Sequence, residues 1–183
     1  MATSIAAHLD WLDERIEAMT GEVRRLIASD PTLDKNLGLL RGITGFGEVS
    51  AAVLLAELPN VEPRGSPDIA GFTPKALAAF AGLSPQEHSS GSSVRGPGKI
   101  SRIGSRRLRG ALYMCALSAK RTNKAPADFV RRMTAGSGET RFRPCKPPKV
   151  ILVAVARKLL VYAHAVIRTQ KPFTSSPDAL SPA

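Results

Sequence analysis

The chain has 183 residues, 43% of them hydrophobic, which suffices for one ordinary domain with a buried core plus an extension. Its formal net charge of +11 is concentrated: residues 1–94 carry 7 Lys/Arg against 12 Asp/Glu, and residues 95–158 carry 17 against 2. Such a block favours a polyanionic partner, nucleic acid before membrane, whereas two isolated cysteines, three scattered histidines and the acidic start MATSIAAHLDWLDER argue against a disulfide framework, a zinc site and a signal peptide.

No segment reaches about 18 uninterrupted apolar residues, so no membrane span is expected and the predicted location is the cytoplasm, at the nucleoid. Residues 4–28 read as a helix in which Ile5, Leu9, Leu12, Ile16, Met19, Val23 and Leu26 recur at alternating spacings of four and three, a heptad pattern. Ser4 is a candidate cap, and Asp30-Pro31 should end the helix. The narrow stripe fits either packing on its own domain or a coiled-coil seam with another copy or another domain; a seam with another copy would make the protein a homo-oligomer through residues 1–30.

In LGLLRGITGFGEVSAAVLLAEL (37–58) a helix end runs through Gly42, Gly45 and Gly47 into an Ala/Val/Leu helix, the pattern of a helix-hairpin-helix. Glycines permit the tight turn, and amides at the start of the second helix favour a phosphate, which makes Gly45 and Gly47 candidate DNA contacts. The alternative is a helix-helix turn whose glycines serve packing only. Residues 59–71 form a Pro/Gly/Asp linker, after which Thr73-Pro74 should cap a short helix over Lys75–Ala81 that Gly82 closes.

The stretch Gly82–Arg109 is predicted as a long loop feeding a helix. Ser89, Ser90, Ser92 and Ser93 surround Gly91, and Arg95, Lys99, Arg102, Arg106, Arg107 and Arg109 follow without an acidic residue. All six cations are candidate DNA contacts. In the helix from about Ser105 to Arg121, Leu108, Ala111, Leu112, Cys115 and Ala119 form one face, while Arg102, Arg106, Arg109 and Tyr113 fall on another. Arginines at a helix start oppose the helix dipole, so an anion is expected there; a solvated basic face is the plainer reading.

A further helix is expected over Asn123–Met133, and residues 136–149, with Cys145, form a second basic loop whose Arg141, Arg143, Lys146 and Lys149 either touch nucleic acid electrostatically or sit on a mobile segment. Val150–Ile167 is the most apolar helix and the expected centre of the core, with Arg157, Lys158 and His164 its polar exceptions. His164 is read as a core or rim histidine. Residues 171–183 are expected to be a disordered tail.

The succession LLRGITGFGEVSAAVLLAEL, KALAAFAGLSP, HSSG, GKISRIGSRRLRGALYMCAL and ILVAVARKLLVYAHAVI, over about residues 37–170, resembles the C-terminal transposase domain of DEDD-type insertion-sequence transposases. These are relatives of Piv-type invertases and bridge-RNA-guided recombinases. The resemblance implies a helical, DNA-binding domain, so that with the helix-hairpin-helix and the heptad-patterned first helix the expected fold is all-α, and it adds a guide RNA as a further possible partner. It also implies a serine nucleophile of strand exchange at Ser89, with Ser90 the adjacent alternative, and places family glycine and arginine positions at Gly91, Gly104 and Arg109. Family members carry a preceding ribonuclease-H-like domain with four metal-binding acids. No such domain is recognisable here, so no metal site or cofactor is expected in this chain, and Mg2+ only alongside that domain.

Two classes of function follow: a serine recombinase domain that needs a metal-binding partner, or a non-catalytic DNA-binding remnant. A basic RNA-associated protein is a third, disfavoured by the scarcity of aromatic residues.

Overall fold

The computed structural model describes residues 2–58, 72–90, 94–122, 124–135 and 147–174. The linker expected at 59–71, the serines at 92–93, most of the second basic loop with Cys145, and the tail from 175 lie outside them. The described residues form helices plus one two-stranded hairpin.

Helix α1 (Ala2–Ala28) begins before Ser4, so that hydroxyl is not its cap. Asp30 does not merely end α1; it starts α2 (Pro31–Arg41). Its Oδ1 accepts from the Thr32 and Leu33 amides at 2.8 and 3.3 Å, and Pro31 opens the first turn. Residues 42–47 then turn the chain into α3 (Glu48–Glu57), which packs against α2. Helix α4 (Pro74–Phe80) starts as expected, with Thr73 Oγ1 accepting from the Ala76 amide at 3.2 Å.

The predicted loop after Gly82 is the main departure. It forms strands β1 (Pro85–Ser90) and β2 (Val94–Ile100), paired antiparallel from Pro85↔Ile100 to Ser90↔Val94. The register slips between Gln86↔Lys99 and His88↔Gly96, so one residue of β1 faces two of β2. This bulge falls at Pro97-Gly98, where a proline lacks the N–H that a regular ladder requires. Helices α5 (Arg106–Thr122), α6 (Lys124–Ala135) and α7 (Pro148–Thr169) complete the fold.

Helices α5 and α7 form the centre of the core. Leu108, Leu112, Cys115, Ala116 and Ala119 of α5 meet Val155, Leu159, Tyr162, Ala163 and neighbouring residues of α7 in one buried cluster. Helices α2, α4 and α6 pack on α7, and α3 packs on α5. By length and composition α7 could cross a membrane, with a mean hydropathy of 2.0, but 61% of that window is buried inside the fold, as suits a core helix. His164 is buried on it, as read. At its end Gln170, in left-handed conformation, donates through Nε2 to buried Asn36 Oδ1 at 2.9 Å and ties α7 to α2.

Helix α1 meets this core near its C-terminal end, where half-buried Ile27 packs against it, and packs on α2. Its whole heptad stripe is exposed, Met19 at 66%, so no described residue of the chain covers it. A salt bridge anchors its C-terminal half: Arg24 Nε donates to Glu48 Oε1 at 2.5 Å and Nη2 to Oε2 at 2.9 Å.

Candidate nucleic-acid interface

The serine-arginine stretch is rooted in a hydrogen-bonded node that joins the end of α4, the foot of the hairpin and the start of α5. The Leu83 amide donates to Ala78 O at 2.8 Å, Ser101 N to Ser84 O at 2.9 Å, and Ser105 N to Phe80 O at 3.0 Å. Two glycines make these approaches possible. Gly82 has φ +66, and a Cβ there would strike Arg109 Nη1; Gly104 has φ +129, and a Cβ there would overlap the Phe80 carbonyl oxygen. Arg102 also takes a positive φ of 55°, at a position where no glycine eases it.

Arg109, expected on DNA, serves this node. Half-buried, it donates from Nη1 to the carbonyls of Ala81 at 3.2 Å and Arg102 at 3.3 Å. Gly45 also turns inward: with φ +112 it lies so close to α5 that a Cβ would come within 2.6 Å of Ala119 Cβ. In this structure it supplies close packing, the alternative left open by the sequence. Gly47 is exposed at the N-cap of α3, but the first-turn Glu48 there is already held by Arg24.

The start of α5 carries its own anion. Ser105 Oγ caps the helix by accepting from the Leu108 amide at 3.1 Å, and it donates to Glu57 Oε2 at 2.5 Å. The other oxygen of Glu57 lies 3.7 Å from Arg107 Nη1. The charge that the arginine-rich helix start called for is therefore supplied in part by α3, because a carboxylate there offsets both the dipole and the guanidinium. Arg106 and Arg107 line a shallow groove of about 540 Å³ between α3 and α5.

Lys99 and Arg102 belong to another surface. They line a groove of about 660 Å³ with Lys149 and Arg157, over Tyr113 and an apolar floor that includes Pro85, Ile100, Val150 and Val153. Among the described residues four cations and no carboxylate line it, Lys99 and Arg102 from the hairpin foot and Lys149 and Arg157 from α7, while α5 contributes Tyr113. The sequence put Tyr113 on one face with Arg102 and assigned Lys149 to a second basic loop, but did not bring them together and did not count Arg157 as part of a site. The available signal was a basic pair, Arg157-Lys158, interrupting an otherwise apolar helix.

Ser89 and Ser90 lie on β1, where the register pairs Ser89 with Arg95 and Ser90 with Val94. From Gln86, which pairs with Lys99 at the groove, Ser89 is about 10 Å further along the strand. Among the described residues no three His, Cys, Asp or Glu side chains come together as metal ligands. Glu57, the carboxylate nearest the α5 start, is committed to Ser105 and Arg107. The described donor set does not fit a metal centre.

Buried Cys115 is unsuited to chemistry here, since burial pushes its thiol up, against a smaller opposing effect of a hydrogen bond with Ser50.

Residues 37–131 match the model of the transposase IS116/IS110/IS902 family. Over 166 residues, 89% of the chain, it is 34% identical to the pilin gene-inverting protein of Moraxella bovis and, to the same degree, to that of Moraxella lacunata. It is 27% identical over 166 residues to an insertion element IS110 protein of Streptomyces coelicolor. The chain spans 46% of the length of each Moraxella protein and 36% of the Streptomyces one. With over half of its residues matched to the family model, the chain belongs to the IS116/IS110/IS902 family of transposases.

Proposed function

We propose that this chain is the DNA-handling domain of a transposase or recombinase, with residues 37–170 gripping DNA and Ser89 acting as the nucleophile of strand exchange. The observation that carries the reading is the four-cation groove at the foot of the hairpin that bears the serines. Lys99, Arg102, Lys149 and Arg157 can neutralise backbone phosphates and release counterions, while β1 leads from that groove to Ser89.

In the proposed step Ser89 Oγ attacks a backbone phosphorus and loses its proton to a base. The bond from phosphorus to one deoxyribose oxygen breaks, and that oxygen leaves as a protonated hydroxyl. The phosphoserine ester conserves the bond energy until the hydroxyl of a new strand attacks and restores the serine. We assign the neutralisation of the phosphorane to Arg95, the partner of Ser89 in the strand register. We assign the base to polypeptide outside this sequence, a ribonuclease-H-like domain acting in cis or in trans, since the match covers only 46% of each Moraxella relative.

The test is a nicked suicide DNA substrate incubated with the chain and that domain. A covalent adduct that Ser89→Ala abolishes supports the nucleophile; an adduct that survives Ser89→Ala but not Ser90→Ala moves the role by one residue. Salt-sensitive DNA binding with no adduct would favour the alternative, a non-catalytic DNA-binding module.

The exposed stripe of α1 supports a second element of the proposal, pairing with another copy through a coiled-coil seam. Ile16→Asp should then lower the mass measured by light scattering, and an unchanged mass would reject the seam.

A further inference from the structure

The groove has a composition that a duplex backbone does not need. Phosphates on the outside of a helix require cations on an accessible surface, and they gain nothing from an apolar bed that must first give up its water. Here the four cations share one lining with Pro85, Ile100, Val150 and Val153 and with half-buried Tyr113. The groove's volume of about 660 Å³ lies within the ~300–1,000 Å³ of small-ligand sites.

We propose that this groove takes an unpaired nucleotide of a DNA strand, with the base lying on Tyr113 and the apolar floor and the flanking phosphates on Lys99, Arg102, Lys149 and Arg157. The inference rests on the proposed DNA-binding function and names the form of DNA that this part of the surface holds. Only an unstacked base exposes a flat apolar face together with its own phosphates, and aromatic platforms inside basic grooves capture it without regard to sequence. Location supports the assignment. The groove ends at the Gln86↔Lys99 pair, about 10 Å along β1 from Ser89, so a nucleotide held there would fix the strand beside the proposed nucleophile.

The experiment is fluorescence anisotropy of the full chain with labelled oligothymidine, with the same strand made abasic at its central positions, and with a fully paired duplex of equal length. Oligothymidine should bind, and Tyr113→Leu should weaken it about tenfold while leaving duplex affinity unchanged. Tyr113→Phe should retain wild-type affinity, and the abasic strand should bind the wild type no better than oligothymidine binds Tyr113→Leu. Because Tyr113 is half-buried, Val150→Glu provides a variant that spares the core: Val150 is 48% exposed, and the new charge should weaken oligothymidine more than duplex.

The inference is overturned if Tyr113→Leu, shown folded by circular dichroism, changes both DNA forms equally or neither, while the duplex still binds. In that case the DNA-binding function stands. If neither DNA form binds at low salt, that function fails and the inference with it. A Tyr113-dependent preference for oligouridine over oligothymidine would overturn the assignment to DNA.

Discussion

Gly104 and Gly110 lie six residues apart and make opposite demands on a side chain. At Gly104, φ of +129 and the abutting Phe80 carbonyl leave no room for a Cβ, whereas at Gly110, inside α5, nothing lies within 4 Å. Gly104→Ala should therefore destabilise the fold by roughly 1–3 kcal/mol or more, because strain and steric overlap act together. Gly110→Ala should stabilise it by about 0.5–1 kcal/mol through helix propensity. Thermal melts of the two variants should move in opposite directions. Cys115 yields a second test at this scale: in a Cys145→Ser background its buried, poorly ionised thiol should resist alkylation in native buffer and react only in denaturant. Rapid native labelling would show that α5 opens locally far more often than its packing implies.

At the scale of elements, α1 is held by the Arg24–Glu48 bridge and by packing on α2. The hydrogen bond from Arg24 outweighs the opposing desolvation and holds the Glu48 carboxyl below the usual range. The link is therefore complete above the ordinary glutamate pKa of ~4.3 and is lost as pH falls through the lowered value. Amide exchange over residues 20–28 should be faster in Glu48→Gln than in wild type at pH 7, and the difference should disappear in acid. A difference that persists at pH 2 would place the anchor elsewhere. Helix starts were legible because their caps are local: Thr73-Pro74 names its own helix, and Asp30-Pro31 marks a boundary even though the sequence showed only its ending side. The hairpin was not legible. Residues 85–100 lack apolar alternation, and their strands follow from main-chain pairing above a node built from residues on three different elements.

For the whole molecule, the candidate basic residues divide among several tasks. Arg109 braces the node, Arg107 meets Glu57, and Lys99 and Arg102 join Lys149 and Arg157 in the groove. DNA affinity should fall linearly with the logarithm of salt concentration. Lys149→Ala should reduce the magnitude of that slope by about 0.7–0.9 without changing the melting temperature, since Lys149 is exposed at the start of α7. A slope that does not change would remove Lys149 from the interface.

Charge asymmetry, helix periodicity and the family pattern are properties of the chain as a string, and the sequence by itself determined them: a helical, basic protein with an apolar last helix and a heptad-patterned first one. Side-chain partners across distant segments depend on packing. Only the tertiary structure decided that Gly45 presses on α5, that Glu57 supplies an anion to the arginine-rich helix start, and that Arg157 and Tyr113 face Lys99 across one groove. Those pairings arise because α3, α5 and α7 are brought together by burying their apolar faces, and the polar residues at the edges of those faces then meet whatever the neighbouring helix presents.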